Sequence, residues 1–286
     1  MSQVSLFPTL RGTGPLIVAY GGGVNTIALL LELFRRGERP DGIVMSDPGD
    51  EWPETHVYRD TIMNPWLAER GWPTVTVVSV ISEAPFRPRA SKTEQTTLMG
   101  ECNRIKSVPS IAYGKKKCSQ KYKARPANWW MERMPFVREA WARGEKVTRA
   151  IGYDADEPGR AHPQIADALE ARRFTPYYPL LDAGINREDC EAIILAAGLP
   201  LPHKSACRRC PANKLHEWAE FRERFPEDFA EAMAMERDAD IDNREVVGLM
   251  RCMPAGKRQL HLHVWQGPVP PPDDDDRDAM PCECAL

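Results

Sequence analysis

The 286-residue sequence contains no apolar run long enough to span a bilayer, and its opening MSQVSLFPTLRGTG lacks a basic stretch leading into an apolar one. A membrane-spanning helix and an export signal are therefore not expected, and the expected location is the cytoplasm. Charge of either sign is not in excess. With 28% charged residues and a net charge of -3, no general affinity for polyanions follows from composition. No internal repeat is visible, which argues against solenoids and propellers. Cysteine, by contrast, is plentiful. Eight cysteines in a chain with no signal point to metal, cluster or redox chemistry rather than to a disulfide framework. The length allows one large α/β domain, or such a domain with an appended subdomain, around a real core.

The N-terminal third alternates between two hydrophobic periods. Leu16 to Tyr20 reads as a buried strand, and Val24 to Arg36 as a helix with Ile27, Leu30, Leu31 and Phe34 on one stripe, stopped at Gly37. Gly42 to Ser46 is a second strand, Glu54 to Arg70 a helix interrupted near Pro65, and Thr74 to Val80 a third strand. That order predicts a parallel sheet with helical crossovers. From Ile81 to Lys123 the periodicity fades, so a long active-site loop region is expected there. Ala127 to Arg143 reads as a helix and Lys146 to Gly152 as a fourth strand. A further helix opens at Asn186 and closes at Gly198 by N-cap and C-cap chemistry. Two helices meeting at Pro226, an edge strand from Gln259 to Trp265 and a mobile proline-rich, acidic tail complete the expectation.

Several short stretches carry chemistry. In YGGGVNT, Gly21, Gly22 and Gly23 turn a strand into a helix whose first backbone N–H groups favour an anion, with no Cβ to block its approach. The spacing is neither the dinucleotide fingerprint nor the lysine-bearing phosphate loop, and a bare turn is the alternative. Asp47, Asp50 and Glu51 cluster after the second strand, at the sheet end where such folds bind ligands. Cys118 sits among Lys115, Lys116, Lys117, Lys121, Lys123 and Arg125, a setting that lowers a thiol pKa and draws anions unless the run is only a solvated face. Cys207 and Cys210 are spaced so that one turn brings two thiolates to a metal or cluster, or forms a redox dithiol. Cys190 falls on the apolar stripe of a helix and reads as core.

Taken in order, these stretches resemble the phosphoadenylylsulfate (PAPS) reductase and N-type ATP pyrophosphatase superfamily. YGGGVNTIALL is similar to its SGGxDS or SFGGGVQST loop, although Ala19, Asn25 and Thr26 depart from that pattern. KCSQKYKARP is similar to CTxxxKxxP, with Lys123 and Pro126 in register; IGYDADEPGR to IGIxxDExxR; and SACRRCP to the SxCxxCP of iron–sulfur members. The resemblance runs from Leu16 to about Ala239 and implies a Rossmann-like adenine nucleotide alpha hydrolase fold: a parallel sheet flanked by helices, with a helical C-terminal part. It divides the chain into an extension over 1–15, a nucleotide-binding α/β domain over 16–200, a helical, cysteine-containing subdomain over 201–266 and a disordered acidic tail over 267–286.

The resemblance also implies roles. Tyr20, Gly21, Gly22, Gly23, Val24, Asn25, Thr26, Asp47, Gly152 and Arg160 would bind an adenine nucleotide, either ATP or PAPS/APS, accompanied by Mg²⁺. Cys118, Cys207 and Cys210 would hold a [4Fe-4S] cluster, with zinc as the alternative metal and with Cys102, Cys252 or no residue as the fourth ligand. Arg160 and Lys123 would act on the transferred anion, and Cys284, in an ending similar to the reductase tail ECGLH, would take a sulfonate. The implied activity is nucleotide-dependent sulfur chemistry. Adenylation of a nucleic-acid or small-molecule acceptor for sulfur insertion, and a non-catalytic nucleic-acid-associated role, are the alternatives. A thiol reductant and a homo-oligomeric state belong to the same expectation.

Overall fold

The computed structural model of the protein describes residues 11–87, 96–113, 117–160, 168–241, 248–250 and 262. The elements run β1 (Leu16–Ala19), α1 (Val24–Arg35), β2 (Gly42–Ser46), α2 (Pro53–Tyr58), α3 (Asn64–Glu69), β3 (Val75–Val78), α4 (Val80–Glu83), α5 (Leu98–Arg104), α6 (Lys117–Ser119), α7 (Arg125–Arg133), α8 (Pro135–Ala142), β4 (Val147–Ala150), α9 (Ala168–Arg173), β5 (Phe174–Tyr177), α10 (Pro179–Asp182), α11 (Arg187–Ala196), α12 (Leu215–Arg224) and α13 (Pro226–Ile241). All five strands are parallel, in the order β3-β2-β1-β4-β5. The fold is α/β and Rossmann-like.

The sheet is buried on both sides, and the two-residue period divides its side chains between them. Leu16, Val18, Ile43 and Met45 pack with α1 residues such as Ile27, Leu30 and Leu33 and with Cys190 and Ile194 of α11. Ile17 and Val44 face the opposite layer, against Trp130 and Met131 of α7 and Val137 of α8. A third apolar cluster joins Trp52, after β2, to Cys102 of α5 and to Trp218, Phe221 and Phe229 of α12 and α13. Full burial of each such aromatic side chain contributes about 2–3 kcal/mol before its entropy cost.

Three sequence expectations are corrected. The stretch Ile81–Lys123 holds α4, α5, α6 and most of a π-helical turn (Gln120–Ala124), so little of its described part is plain loop. The helix expected over Ala127–Arg143 is two helices, because Met134, preceding Pro135, takes an extended conformation with ψ 125°. β5 was not expected at all: its four residues include Pro176, which a strand tolerates only where its missing donor is not needed, and β5 is an edge. The expected interruption near Pro65 is present in the helix from residue 53 to 69: a π-helical turn (Arg59–Met63) comes just before the proline, whose ring would crowd the Thr61 carbonyl in a regular helix. The expected strand Gln259–Trp265, apart from Leu262, lies outside the described residues. No helix among the described residues is long and apolar enough to cross a membrane.

Candidate functional site

The strand order reverses between β1 and β4, and in an open α/β sheet the crevice beyond that point is where ligands bind. A cavity of about 160 Å³ occupies it, lined by the glycine loop, by Met45 and Ser46 of β2, by Ile151, Gly152 and Tyr153 after β4, and by Glu51, Lys123, Arg187 and Ser205. Tyr20, Gly21, Gly23, Val24, Asn25, Thr26 and Gly152, all singled out in the sequence, meet here.

The loop geometry shows why glycine is needed. Gly22 sits at φ +81°, and a Cβ there would lie 2.5 Å from Thr55 Cγ2. A Cβ on Gly152 would lie 2.9 Å from the Asn25 carbonyl oxygen, so the β4 loop presses directly on the start of α1. α1 begins without a side-chain cap at Gly23 and without an acidic residue in its first turn. Its terminal N–H groups therefore present an uncompensated positive end to the cavity. Gly21 N–H donates to Thr26 Oγ1 at 3.2 Å, which ties the loop to the helix it opens.

Asn25 is held on both sides. Its Nδ2 donates to Asp154 Oδ2 at 2.8 Å, and its Oδ1 accepts from Arg187 Nη1 at 3.1 Å. Burial pushes the Asp154 carboxyl up, with the Glu157 charge adding and the Asn25 hydrogen bond opposing. An acid at position 25 would set two carboxylates against each other, which gives the departure from the acidic loop pattern a physical reason.

Asp47 follows β2, but its Oδ1 accepts from Gly49 N–H at 2.7 Å and its Oδ2 lies 3.6 Å from His56 Nε2; it does not line the cavity. Glu51 does. Its Oε1 lies 3.0 Å from Ser205 Oγ, whose single proton is shared between Glu51 and the Gly21 carbonyl, and its Oε2 lies 3.9 Å from Lys123 Nζ. Arg160 ends a 3₁₀ turn (Pro158–Arg160), and its side chain lies outside the description. Sequence reasoning singled out neither Arg187 nor Ser205. The Arg187 signal was one cation beside the Asn186 cap, and Ser205 stood only as the first letter of a cysteine motif.

A smaller, apolar cavity of about 20 Å³ is lined by Cys118, Cys207 and Cys210 together with Lys123, Arg209 and Pro48. Antiparallel pairing of Glu51 with Cys207, flanked by Trp52 N–H to Ala206 O (3.3 Å) and Arg208 N–H to Asp50 O (2.8 Å), fastens the cysteine segment to the loop after β2. Beneath it the buried Asp50 receives Arg209 Nη1 at 2.7 Å and Arg209 N–H at 3.0 Å, and Arg209 also reaches Asp228 and Glu231. Burial pushes the Asp50 carboxyl up to about 6 against the pull of Arg209. Cys102 is buried in the adjoining apolar cluster without lining the cavity. Burial, with the Glu101 charge second, pushes its thiol up to about 12, so as it stands it is a protonated core thiol. Cys190, on α11, is fully buried in the cluster that α11 forms with α1 and the sheet. Among the described residues no group of three or more His, Cys, Asp and Glu side chains is arranged to hold a metal ion. Cys252 and Cys284 lie outside the described residues.

Fold and site together define an α/β protein with a glycine loop and an uncapped helix start at the sheet's switch point, and a cavity lined by three cysteines alongside. No family model matches the sequence, and no curated protein matches it. Among solved structures it is similar to the U34-tRNA thiolase NcsA from Methanococcus maripaludis, solved with its [4Fe-4S] cluster: 13% identity over 84% of this chain and 75% of that one, with a TM-score of 0.37. So loose a likeness leaves the site to be read from this chain's own residues.

Proposed function

We propose that the protein is an adenine-nucleotide-dependent enzyme of sulfur chemistry, with the nucleotide in the glycine-loop cavity and a [4Fe-4S] cluster on Cys118, Cys207 and Cys210. The observation that supports this reading is Lys123, which lines both cavities. An anion seated on the start of α1 and a soft sulfur-ligand set thereby share one wall. The donor types suit an iron–sulfur group: Cys118, Cys207 and Cys210, thiols from two segments, line one apolar cavity. When bound, such a cluster would supply a soft metal site for sulfur or an electron reservoir.

The chain's own residues supply the rest. The α1 N-terminus and the glycine loop seat the phosphate. Lys123 carries charge toward the group transferred between the cavities, and Glu51 is the carboxylate that faces the nucleotide and any Mg²⁺ accompanying it. With ATP, the chemistry is adenylyl transfer to an acceptor oxygen with loss of pyrophosphate. With PAPS or APS, it is attack of a thiolate on the sulfate sulfur with loss of the nucleotide, and a thiol reductant then releases sulfite.

Anaerobic purification with metal analysis tests the cluster. The expected result is a brown protein with iron and sulfide, whose visible absorption is lost in Cys207→Ala; a colourless protein carrying one zinc overturns it. Pyrophosphate release from ATP against sulfite release from PAPS then distinguishes the two reactions. Sulfite release that persists in Cys284→Ser rejects the tail cysteine as nucleophile.

A further inference from the structure

Three charged side chains line the glycine-loop cavity: Glu51, Lys123 and Arg187. Glu51 and Lys123 face each other across 3.9 Å. Arg187 stands at the solvent edge, with its side chain half exposed. Its Nη1 is spent on the Asn25 side-chain oxygen and its Nε on Glu191 Oε1 at 3.1 Å; Nη2 makes no hydrogen bond with the described residues. The arginine is also held from its backbone, since Arg187 N–H donates to Asp156 Oδ2 at 3.1 Å, while Asp156 N–H donates to Asp154 Oδ1 at 3.0 Å.

We infer that Arg187 is the specificity residue for the outer anionic group of the nucleotide, and that Asp154 and Asn25 are positioning residues that aim it. The inference rests on the nucleotide reading above. A single phosphate needs no more than the start of α1, which is uncapped. A second anionic group beyond it needs another cation, and a guanidinium whose Nη2 has no other partner among the described residues meets that need with a charge-assisted hydrogen bond. The aim is set from behind. Asp154 accepts only, so Asn25 must present its amide N–H there and turn its oxygen outward to Arg187. Loss of the acceptor at 154 frees the amide to turn over and point N–H groups at the guanidinium.

Equilibrium binding of ATP, APS and AMP to the full chain tests this, because AMP shares the base, ribose and first phosphate of the other two. In the unsubstituted protein ATP or APS is expected to bind more tightly than AMP. Arg187→Ala is expected to weaken that ligand about tenfold or more while AMP changes by less than about twofold, and Arg187→Lys to restore part of the loss. Asp154→Asn is expected to give the same ligand-selective loss at unchanged melting temperature, a pattern that a merely structural role would not produce. The transposed pair, Asn25→Asp with Asp154→Asn, is expected to recover binding, since it rebuilds the hydrogen bond and keeps an oxygen toward Arg187.

Selective binding of ATP or APS that survives Arg187→Ala overturns the inference and leaves the nucleotide reading standing. Equal binding of all three ligands by the unsubstituted protein does the same. Absence of binding by any of the three overturns both.

Discussion

At the scale of single residues, the site depends on backbone that only glycine can adopt and on one amide in place of an acid. Gly22 combines positive φ with a 2.5 Å approach to Thr55. Gly22→Ala is therefore expected to cost about 1–3 kcal/mol and, because the loop must move, to abolish nucleotide binding. Thermal denaturation should show a loss of several degrees, and a melting point equal to that of the parent would contradict the geometry. The glycine triplet was visible in the sequence as a turn able to take an anion. Which of its members is sterically obligatory was not, because Thr55 lies 33 positions downstream and meets the loop only in the fold. Asn25 is similar. Its departure from the acidic pattern was legible, and its reason, the Asp154 carboxylate, was not.

At the scale of elements, α1 carries a second, purely structural device at its other end. Glu32 is buried and bonded to Arg35 and Arg36, and Arg36 continues to Tyr177 Oη and the Pro179 carbonyl, locking α1 to β5 and α10. Burial alone would raise the Glu32 carboxyl, but the Arg35 and Arg36 hydrogen bonds outweigh it and hold it below the usual value. A carboxyl lowered in the folded state stabilises above its unfolded pKa, and that stability is lost as pH falls through the folded value. Glu32→Gln is thus expected to cost about 1–3 kcal/mol at neutral pH, with the difference shrinking below about pH 4. Denaturant titrations of both proteins across that range would show it, and a difference independent of pH would refute it. The amphipathic α1 and the buried β1 and β2 announced themselves by period. The π-helical turn that carries Lys123 did not, because it is basic, lacks an apolar stripe and is defined by an i to i−5 hydrogen bond, Arg125 N–H to Gln120 O.

At the scale of the whole molecule, the decisive contact joins the segment around Cys207 to the loop after β2. Asp50 is the buried anion at that junction, and Arg209 the buried cation. Asp50→Ala removes the closest partner of Arg209 but leaves it Asp228 and Glu231, and is expected to cost about 1–3 kcal/mol. The cysteine segment should loosen as well, so bound metal should be lost faster to a chelator than from the parent. Unchanged denaturant midpoint and unchanged metal release would show that the junction is held by apolar packing around Trp52 and Phe221 instead.

The sequence by itself determined the alternating α/β order, the buried strands, the glycine turn, the breaks at Pro65 and Pro226 and the pairing of two cysteines in one turn, because each is set by residues within a few positions of one another. Only the tertiary structure decided that β1 and β4 are neighbours, that β5 closes the sheet, that Arg187 and Ser205 reach the glycine loop, and that Cys118 shares a cavity with Cys207 and Cys210. Apart from the β4–β5 pairing, which spans 27 positions, those relations join residues some 90 to 184 positions apart. They are set by which apolar faces bury against which, and a local pattern in the chain does not contain that information.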